Sequence, residues 1–556
     1  MRKALPVQAV LAVLSLSLIA AHSSLAQGLR VEISVAPSYQ STPVTGRMYV
    51  MFSRDSNPSP VSGVRGESES VPFFGVDVTD LAAGSPGVID GSTLGYPLKS
   101  MADLPPGDYY VQGLLSVYSE FRRSDGHTVW AHDDQWEGQQ FNRSPGNLLS
   151  EIRRVHVDPA HADTIRLELT KAIGPVNVPA DTREVRRIKI QSKLLTAFWG
   201  RPMYLGAVVL LPKNYDRDST TQYPTVYEQG HFNLGAPFGF NPDGKPETAA
   251  ARAERVKRTA REPGYEFAQS WNSPGFPQMI AVTFQHPTPW FDDSYAVNSV
   301  NNGPYGDAIL TELIPYLESH FRMIQAPFAR LLVGGSTGGW EAMALEVYHP
   351  DFFGGTWVLY PDPLDLRAYE LVNVYKDSNA FVFPVSEWFQ ADVPAEREET
   401  GQPHITVRQE SQYEAVLGSH ARSGEQFAIW EATWGPVGVD GYPVDLWDLS
   451  TGKINHQVAD YMKAHDFDIR DYLERNWATL GPKLRGKLHL YVGDMDTFYL
   501  NLSVYYVGDF LKRALPPADA VVEYGRPLKP HGWQPFTNAE LMRQMAAYIA
   551  AHRPKR

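Results

Sequence analysis

The chain has 556 residues, of which 43% are hydrophobic and 20% are charged, and its formal net charge is −13. This length predicts two or three domains with sizeable cores, and this composition excludes a disordered chain. The excess of acidic residues argues against nucleic acid or an anionic membrane surface as the main partner. The chain has no cysteine, which excludes disulfides, thiolate metal sites and a cysteine nucleophile.

The N-terminus has the pattern of a secretory signal peptide. The letters MRK supply positive charge, an apolar run follows, and Ser24 and Ala26 are the small residues expected before a cleavage site. We predict cleavage after Ala26, which removes residues 1–26 and exports the protein to the periplasm or the cell exterior. An uncleaved membrane anchor is the alternative interpretation. No later segment reaches the roughly 18 uninterrupted apolar residues of a membrane span.

Short alternating segments follow the signal sequence, among them LRVEISVAP, GRMYVMFSR, GDYYVQGLLSVY and TIRLELTKA. A period of two, interrupted often by Gly, Pro, Ser and Asn, is typical of a β-sandwich. We therefore predict an N-terminal β-sandwich domain over residues 27–172. The stretch IGPVNVPADTREV, with Pro175 and Pro179, indicates a linker over residues 173–185.

From residue 186 to residue 556 the pattern changes to apolar strand candidates separated by longer segments. The strand candidates read MYLGAVVLLP, YPTVYEQG, QMIAVTFQ, LLVGG, GTWVLYP and KLHLYVGD. Apolar residues between Tyr305 and Phe321 recur at three- and four-residue steps, which predicts a helix that Pro315 disturbs. Strands alternating with helices predict an α/β domain with a mostly parallel sheet.

A long segment over residues 362–486 separates two of these strand candidates. It is rich in tryptophan, Pro and Gly, and a compact domain does not hold a bare loop of that length. We interpret it as a cap or lid inserted into the α/β domain. The alternative is an insertion that packs away from the site, because aromatic residues at this density also build cores.

The stretch LLVGGSTGGWEAMALEVYHP contains the motif G-x-S-x-G at Gly334, Ser336 and Gly338. An apolar strand precedes the motif and a helical pattern follows it, which is the setting of a nucleophile elbow. The turn is so sharp that side chains two residues from the serine would collide with the neighbouring backbone, so glycine is needed there. Ser336 is therefore the candidate nucleophile, although a tight structural turn would also be rich in glycine.

A serine hydroxyl needs a base to accept its proton, and in folds with this elbow the partners follow in the order serine, acid, histidine. After the last clear strand only His531 and His552 remain. His552 lies in a basic tail, so His531 is the candidate base. Two acids compete in the stretch GDMDTFYL, namely Asp494 and Asp496, and we favour Asp496 as the residue that orients the histidine.

An oxyanion hole requires two backbone N–H groups, one of which belongs to the residue after the nucleophile, here Thr337. The loop GHFNLGAPFG follows the strand candidate YPTVYEQG, so the second donor is expected at His231 or Phe232. The side chain of His231 could equally be structural or line the pocket.

Four stretches together resemble the Putative esterase family of α/β hydrolases, which includes enterochelin esterases, feruloyl esterases, S-formylglutathione hydrolases and mycolyltransferases. They read RPMYLGAVVLLPKNYDRDSTTQYPTVYEQGHF, YGDAILTELIPYLESHFRMIQAPFARLLVGGSTGG, GDMDTFYL and PHGW. The resemblance implies an α/β-hydrolase fold and a serine hydrolase of esters, with Ser336 as nucleophile, Asp496 as acid and His531 as base. Many members have His-Gly where this chain has Gly230 and then His231.

The sequence thus predicts an exported serine esterase that forms an acyl-enzyme on Ser336 and needs no metal or cofactor. Its expected partner is an ester that is either a small molecule or linked to a polysaccharide. An acyltransferase of the same fold and a non-catalytic protein that binds a glycan or a surface partner are the alternatives. The pattern does not select the ester or the oligomeric state.

Overall fold

The computed structural model describes residues 28–39, 42–66, 69–217 and 219–554. The predicted signal peptide lies outside these residues. No helix in the described part of the chain is both long and apolar enough to cross a membrane.

The N-terminal part consists of short strands, and β1 shows the predicted alternation, with Val31, Ile33 and Val35 buried between less buried neighbours. The strands are β1 (Arg30–Val35), β2 (Val44–Ser53), β3 (Phe73–Leu81), β4 (Pro86–Ile89), β5 (Gly95–Tyr96), β6 (Gly107–Val117), β7 (Ser119–Arg122), β8 (Thr128–Ala131), β9 (Leu148–Ser150), β10 (Arg153–Val157) and β11 (Thr164–Ala172).

Nine of these strands form one sheet in the order β4-β1-β11-β9-β6-β2-β3-β5, with β10 paired to β6. All pairs in it are antiparallel except β1 with β11. Met48 of β2 and Val78 of β3 lie against Gly87 of β4, so strands from opposite ends of the sheet face each other across one apolar core. The β-rich N-terminal region predicted from the alternating pattern is confirmed.

The α/β part begins with β12, and its elements up to the long insertion follow in chain order. The strands are β12 (Val185–Ser192), β13 (Met203–Leu210), β14 (Thr225–Gln229), β15 (Ile280–Gln285), β16 (Asn298–Ser299), β17 (Gly303–Pro304), β18 (Arg330–Ser336) and β19 (Gly355–Pro361). The helices are α1 (Lys193–Trp199), α2 (Ala249–Arg258), α3 (Gly264–Trp271), α4 (Tyr305–Ala308), α5 (Ile314–His320) and α6 (Thr337–Tyr348).

The helix predicted between Tyr305 and Phe321 is present but irregular. A π-helical turn over Ile309–Leu313 separates α4 from α5. Pro315, which has no N–H to donate, follows directly after this turn in the first turn of α5. The apolar stripe stays continuous, because Ile309, Leu313 and Leu317 are all fully buried.

The segment predicted as a cap forms strands and helices of its own, and the chain after it adds two strands to the central sheet. The elements are β20 (Val382–Ser386), β21 (Phe389–Asp392), β22 (Pro394–Arg397), β23 (Pro403–Thr406), α7 (Val407–Leu417), α8 (Gln426–Trp434), α9 (His456–Ala464), α10 (Ile469–Leu484), β24 (Leu488–Gly493), α11 (Asn501–Arg513), β25 (Val521–Gly525) and α12 (Asn538–His552). Tyr472 of α10 packs edge-on against Tyr348 of α6 at 5.2 Å between ring centres. Thus α10 is the crossover helix that a parallel connection to β24 requires.

The central sheet has the strand order β12-β13-β15-β14-β18-β19-β24-β25. The pairs of β12 with β13 and of β13 with β15 are antiparallel, and the remaining pairs are parallel. The predicted mostly parallel sheet is therefore confirmed. Its parallel strands all end at one edge of the sheet, and the loops after β14, β18, β19, β24 and β25 meet there.

The N-terminal domain packs on the C-terminal end of α7. Arg47 of β2 donates from Nε to the carbonyl oxygen of Val416 at 2.8 Å. The hydroxyl of Tyr49 donates to the carbonyl oxygen of Leu417. These contacts satisfy carbonyl groups that the end of a helix leaves without intrahelical partners. They hold α7, and with it the cap, in a fixed position against the β domain.

Candidate active site

The strand-to-helix turn at Ser336 has the strained backbone expected of a nucleophile elbow. Ser336 has φ 59° and ψ −126°, between the end of β18 and the first residue of α6, a region that non-glycine residues rarely adopt. A Cβ atom on Gly338 would lie 2.1 Å from the carbonyl oxygen of Gln229, and one on Gly334 would lie 2.1 Å from that of Gly338. Both glycines are therefore required by close backbone contacts.

Ser336, His531 and Asp496 form a continuous hydrogen-bonded row, although 195 residues separate Ser336 from His531. Ser336 Oγ lies 3.1 Å from His531 Nε2, and His531 Nδ1 lies 2.8 Å from Asp496 Oδ2. Asp496 is fully buried, and its other oxygen, Oδ1, accepts the backbone N–H groups of Phe498 at 3.0 Å and Leu500 at 3.3 Å. The carboxylate is thus fixed in the orientation that meets the imidazole.

The two competing candidates lie elsewhere. Asp494 Oδ1 accepts the backbone N–H of Lys529 at 2.9 Å and so helps to hold the loop that carries His531. His552 is exposed at the end of α12, where its Nδ1 lies 2.9 Å from the carbonyl oxygen of Tyr548. Neither side chain contacts Ser336.

The imidazole of His531 is a stronger base than an ordinary histidine. Burial lowers its pKa, but the negative charge of Asp496 and the hydrogen bond to it outweigh that effect, and the pKa lies above 6.5. A raised pKa makes proton transfer from the serine hydroxyl more favourable.

Asp362 is a second acid beside Ser336 that the sequence analysis did not select. Its Oδ1 lies 3.5 Å from Ser336 Oγ, and its Oδ2 accepts from the hydroxyl of Tyr295, from Gln426 Nε2 and from Trp430 Nε1. Burial raises its pKa. Its position directly after β19, at the carboxyl end of the strand beside the elbow, was the signal that could have identified it.

The three residues predicted to build an oxyanion hole differ in where their side chains lie. Thr337 is the first residue of α6, so its N–H has no carbonyl partner within the helix. His231 lines the same cleft as Ser336, whereas the ring of Phe232 turns towards the N-terminal domain and packs edge-on against Trp136 at 5.3 Å. The side chain of His231 has its Nδ1 3.1 Å from Asp292 Oδ1.

The charge state of His231 follows from that neighbourhood. Burial lowers the pKa of His231, but the carboxylates of Asp292 and Asp293 outweigh it and raise the pKa well above 6.5. A positive charge on His231 therefore lines the cleft that contains Ser336.

Two groups of side chains in the described residues have the spacing of a metal site. They are His231 with Asp292 and Asp293, and His286 with Asp293 and Glu341, whose ligand atoms lie within 4.8 Å of one another. His286, Asp293 and Glu341 are buried. Neither group is recognisable in the sequence, because its residues come from separate loops and helices.

The cleft beside Ser336 has a volume of about 600 Å³ and is closed on one side by the cap. Trp430 of α8 lines it, and Gly66 of the N-terminal domain also reaches it. Trp388, by contrast, is 87% exposed on the β20–β21 hairpin. The insertion therefore covers the site, as the cap interpretation predicted, while part of its aromatic content points outwards.

The strand order of the central sheet, the turn after β18 and the loops after β24 and β25 give this part of the chain the α/β-hydrolase fold. Residues 204–363 match the family model described as Putative esterase, so the predicted resemblance to that family is confirmed. The match contains the elbow and ends two residues after β19.

Comparisons with whole proteins add more distant similarities. A comparison with curated proteins finds no match. Among solved structures, a ferulic acid esterase is 15% identical, with 66% of this chain and 98% of that chain covered and a TM-score of 0.35. An S-formylglutathione hydrolase from Staphylococcus aureus is 12% identical, with 66% of this chain and 99% of that chain covered and a TM-score of 0.30. A ferulic acid esterase from Anaeromyces mucronatus is 13% identical, with 66% of this chain and 89% of that chain covered and a TM-score of 0.29.

Proposed function

We propose that this protein is an exported serine esterase that hydrolyses a carboxylic ester through an acyl-enzyme on Ser336. The observation that carries the proposal is the row from Ser336 Oγ to His531 Nε2 at 3.1 Å and from His531 Nδ1 to Asp496 Oδ2 at 2.8 Å. The family match supports it, because the matched segment contains the elbow.

In the first half of the reaction, Ser336 Oγ attacks the ester carbonyl carbon and its proton passes to His531 Nε2. Asp496 stabilises the imidazolium and keeps the Nδ1 hydrogen in place. The carbon–oxygen bond to the alcohol then breaks, and the alcohol leaves with the proton from Nε2. The products of this half are the acyl-enzyme on Ser336 and the free alcohol.

In the second half, water gives a proton to His531 Nε2 as its oxygen attacks the acyl carbon. The bond between this carbon and Ser336 Oγ breaks, Oγ takes the proton back, and a carboxylic acid leaves. During both halves the backbone N–H groups of Thr337 and His231 are our proposed donors to the oxyanion, since Thr337 opens a helix and His231 lines the cleft.

The direct test is hydrolysis of p-nitrophenyl butyrate by the mature chain beside Ser336→Ala, with Ser319→Ala as a matched control. Ser319 is exposed on α5, so its loss should leave turnover unchanged. We expect Ser336→Ala to lose about 10³-fold or more in turnover and to lose labelling by a fluorophosphonate probe. Full activity or labelling in Ser336→Ala would disprove the assignment of the nucleophile.

A further inference from the structure

Five glutamates line the cleft that contains Ser336, and all of them belong to the cap. They are Glu370, Glu396, Glu410, Glu414 and Glu425. A cleft of about 600 Å³ with so many carboxylates is unusual, because buried acidic groups normally have a cation or a hydrogen-bond donor as partner.

Three of the five have such partners. Glu414 accepts the backbone N–H groups of Phe427 and Ala428 at 2.7 and 2.9 Å, which satisfies the N-terminus of α8. Glu396 Oε2 lies 2.8 Å from His404 Nε2. Glu425 accepts the hydroxyl of Tyr413 at 3.3 Å. These carboxylates therefore have structural explanations.

Glu370 and Glu410 lack such partners among the described residues. Glu370 is only 3% exposed, and no residue in the described part of the chain forms a hydrogen bond or ion pair with its carboxylate. Its backbone has φ 54°, a strained conformation for a non-glycine residue. The Oε2 atom of Glu410 is buried without a partner among the described residues. Two carboxylates without protein partners thus lie in the same cleft as Ser336.

The charges around these two carboxylates do not neutralise them. Burial raises the pKa of Glu370 well above its ordinary value, and the negative charges of Glu410 and Glu396 raise it further. Burial likewise raises the pKa of Glu410, with Glu414 and Glu396 adding to the effect. Both glutamates therefore keep their protons in the absence of a cation, and a cation bound beside them would favour their ionised forms.

The positively charged side chains that line the cleft stabilise other carboxylates. The charge of His231 stabilises the carboxylates of Glu425 and Asp362, and that of His531 stabilises Asp362. Arg261 lines the cleft as well and stabilises the carboxylate of Glu228. None of these three cations is among the main influences on the carboxyl groups of Glu370 and Glu410.

The geometry favours an organic cation over a metal ion. In the described residues, two groups of three or more His, Asp and Glu side chains have their ligand atoms within 4.8 Å of one another. They are His231–Asp292–Asp293 and His286–Asp293–Glu341, and neither includes a glutamate of the cap. A metal ion needs such close convergence, whereas a larger ammonium group does not.

Aromatic rings complete the surroundings of such a group. Tyr360, Tyr413, Trp430 and Phe498 line the same cleft, and the ring of Trp430 is held by its stacking on Trp434 at 5.5 Å. Ring faces attract alkylammonium groups, most strongly where water is excluded.

We propose that the substrate is an ester that carries an alkylammonium group, which binds at Glu370 and Glu410 while the ester carbonyl lies at Ser336. This inference rests on the proposed esterase function, because it places the cationic part of the substrate within reach of the same nucleophile. It assigns the cap its role, which is to select the substrate by charge.

Binding of the cation should become tighter as the pH rises. The two glutamates are protonated at low pH, and only their ionised forms attract the ammonium group, so binding releases protons. The acidic groups near them are Asp362 after β19, Glu396 of β22, Glu414 of α7, Glu425 before α8 and Asp496 after β24. The hydroxyl groups of Tyr369 and Tyr499 also interact with Glu370, and His231, Arg261 and His531 line the same cleft.

The test measures binding without turnover. The mature chain with Ser336→Ala is titrated in a calorimeter with choline and, separately, with 3,3-dimethylbutan-1-ol, which has the same shape and no charge. We expect choline to bind about tenfold or more tightly than the alcohol, and the ratio to grow between about pH 6 and about pH 8.5. Equal affinities, no binding of choline, or a ratio independent of pH would overturn the proposal.

Variants locate the site. Glu370→Gln combined with Glu410→Gln keeps the shape of both side chains, and we expect it to abolish the preference for choline. The control is Glu387→Gln, an exposed glutamate of the same cap, which should keep the preference. A double variant that still prefers choline, or a protein that binds calcium chloride and not choline, would disprove the assignment. Because the titration uses the Ser336→Ala protein, its failure leaves the esterase proposal to be judged by the turnover of p-nitrophenyl butyrate.

Discussion

Asp496→Asn tests the proposed catalytic row most sharply, because the structure dictates how the new amide must orient. Asp496 Oδ1 accepts two backbone N–H groups, from Phe498 and Leu500. An asparagine must keep its oxygen against these donors, since its NH₂ group there would face two hydrogens. The NH₂ group therefore faces His531 Nδ1 and donates to it.

That orientation reverses the tautomer of the imidazole. If Nδ1 accepts a hydrogen bond, the ring hydrogen moves to Nε2, which can then no longer accept the proton of Ser336. The same exchange in the Ser-His-Asp triad of serine proteases lowers kcat by about 10⁴-fold, equal to about 5.4 kcal/mol of transition-state stabilisation, and we expect a loss of this order here. The side chain keeps its size, so folding should be preserved.

The assay is kcat on p-nitrophenyl butyrate, with circular dichroism to verify folding. Asp494→Asn is the matched control: its carboxylate lies two residues away and bonds to the backbone of Lys529, so it should stay within about threefold of the parent rate. A loss below about tenfold in Asp496→Asn would refute the reasoning. Asp362, 3.5 Å from Ser336 Oγ, would then be the acid to substitute next.

Three further outcomes follow from the site and its supports. With a neutral ester, kcat/KM should fall as the pH drops through the pKa of His531, which lies above 6.5. The reason is that only unprotonated Nε2 can accept the serine proton. A pH profile of kcat/KM that stays flat to about pH 5.5 would contradict this expectation. Gly338→Ala places a methyl group 2.1 Å from the carbonyl oxygen of Gln229, so the elbow must shift, and we expect kcat to fall about 100-fold. Gly174→Ala, which meets no atom within 4 Å, is its control and should leave kcat unchanged. Arg47→Ala removes hydrogen bonds to the end of α7. It should lower the free energy of unfolding, measured by urea denaturation, by about 2–3 kcal/mol. An unchanged free energy would show that these hydrogen bonds do not hold the N-terminal region against α7.

The architecture was predictable wherever a pattern is local. Alternation along β1 and the other N-terminal strands indicated a β domain, because successive side chains of a strand point to opposite faces. The stretch around Ser336 indicated the elbow, because its requirements, two glycines between a strand and a helix, lie within a few residues. The π-helical turn before Pro315 was not predictable, since its apolar stripe is the same as that of a regular helix.

Sequence order also narrowed the partners of Ser336. Loops after successive parallel strands meet at one edge of the sheet, so a late histidine such as His531 was expected beside the elbow. Sequence order could not select between Asp494 and Asp496. Both lie in one turn after β24, and only the folded path of that turn directs Asp496 to the imidazole and Asp494 to Lys529.

The sequence by itself therefore determined the fold class, the elbow at Ser336 and the histidine that meets it, because strand and helix periodicity and backbone sterics act over short distances. Only the tertiary structure brings the glutamates of the cap into one cleft with Ser336. Glu370 and Glu410 are far apart in a segment where each would read as a solvated side chain. Folding of the cap over the elbow buries Glu370 and the Oε2 atom of Glu410 without giving them partners among the described residues. That loss of solvation is a property of the packed molecule that no local pattern contains.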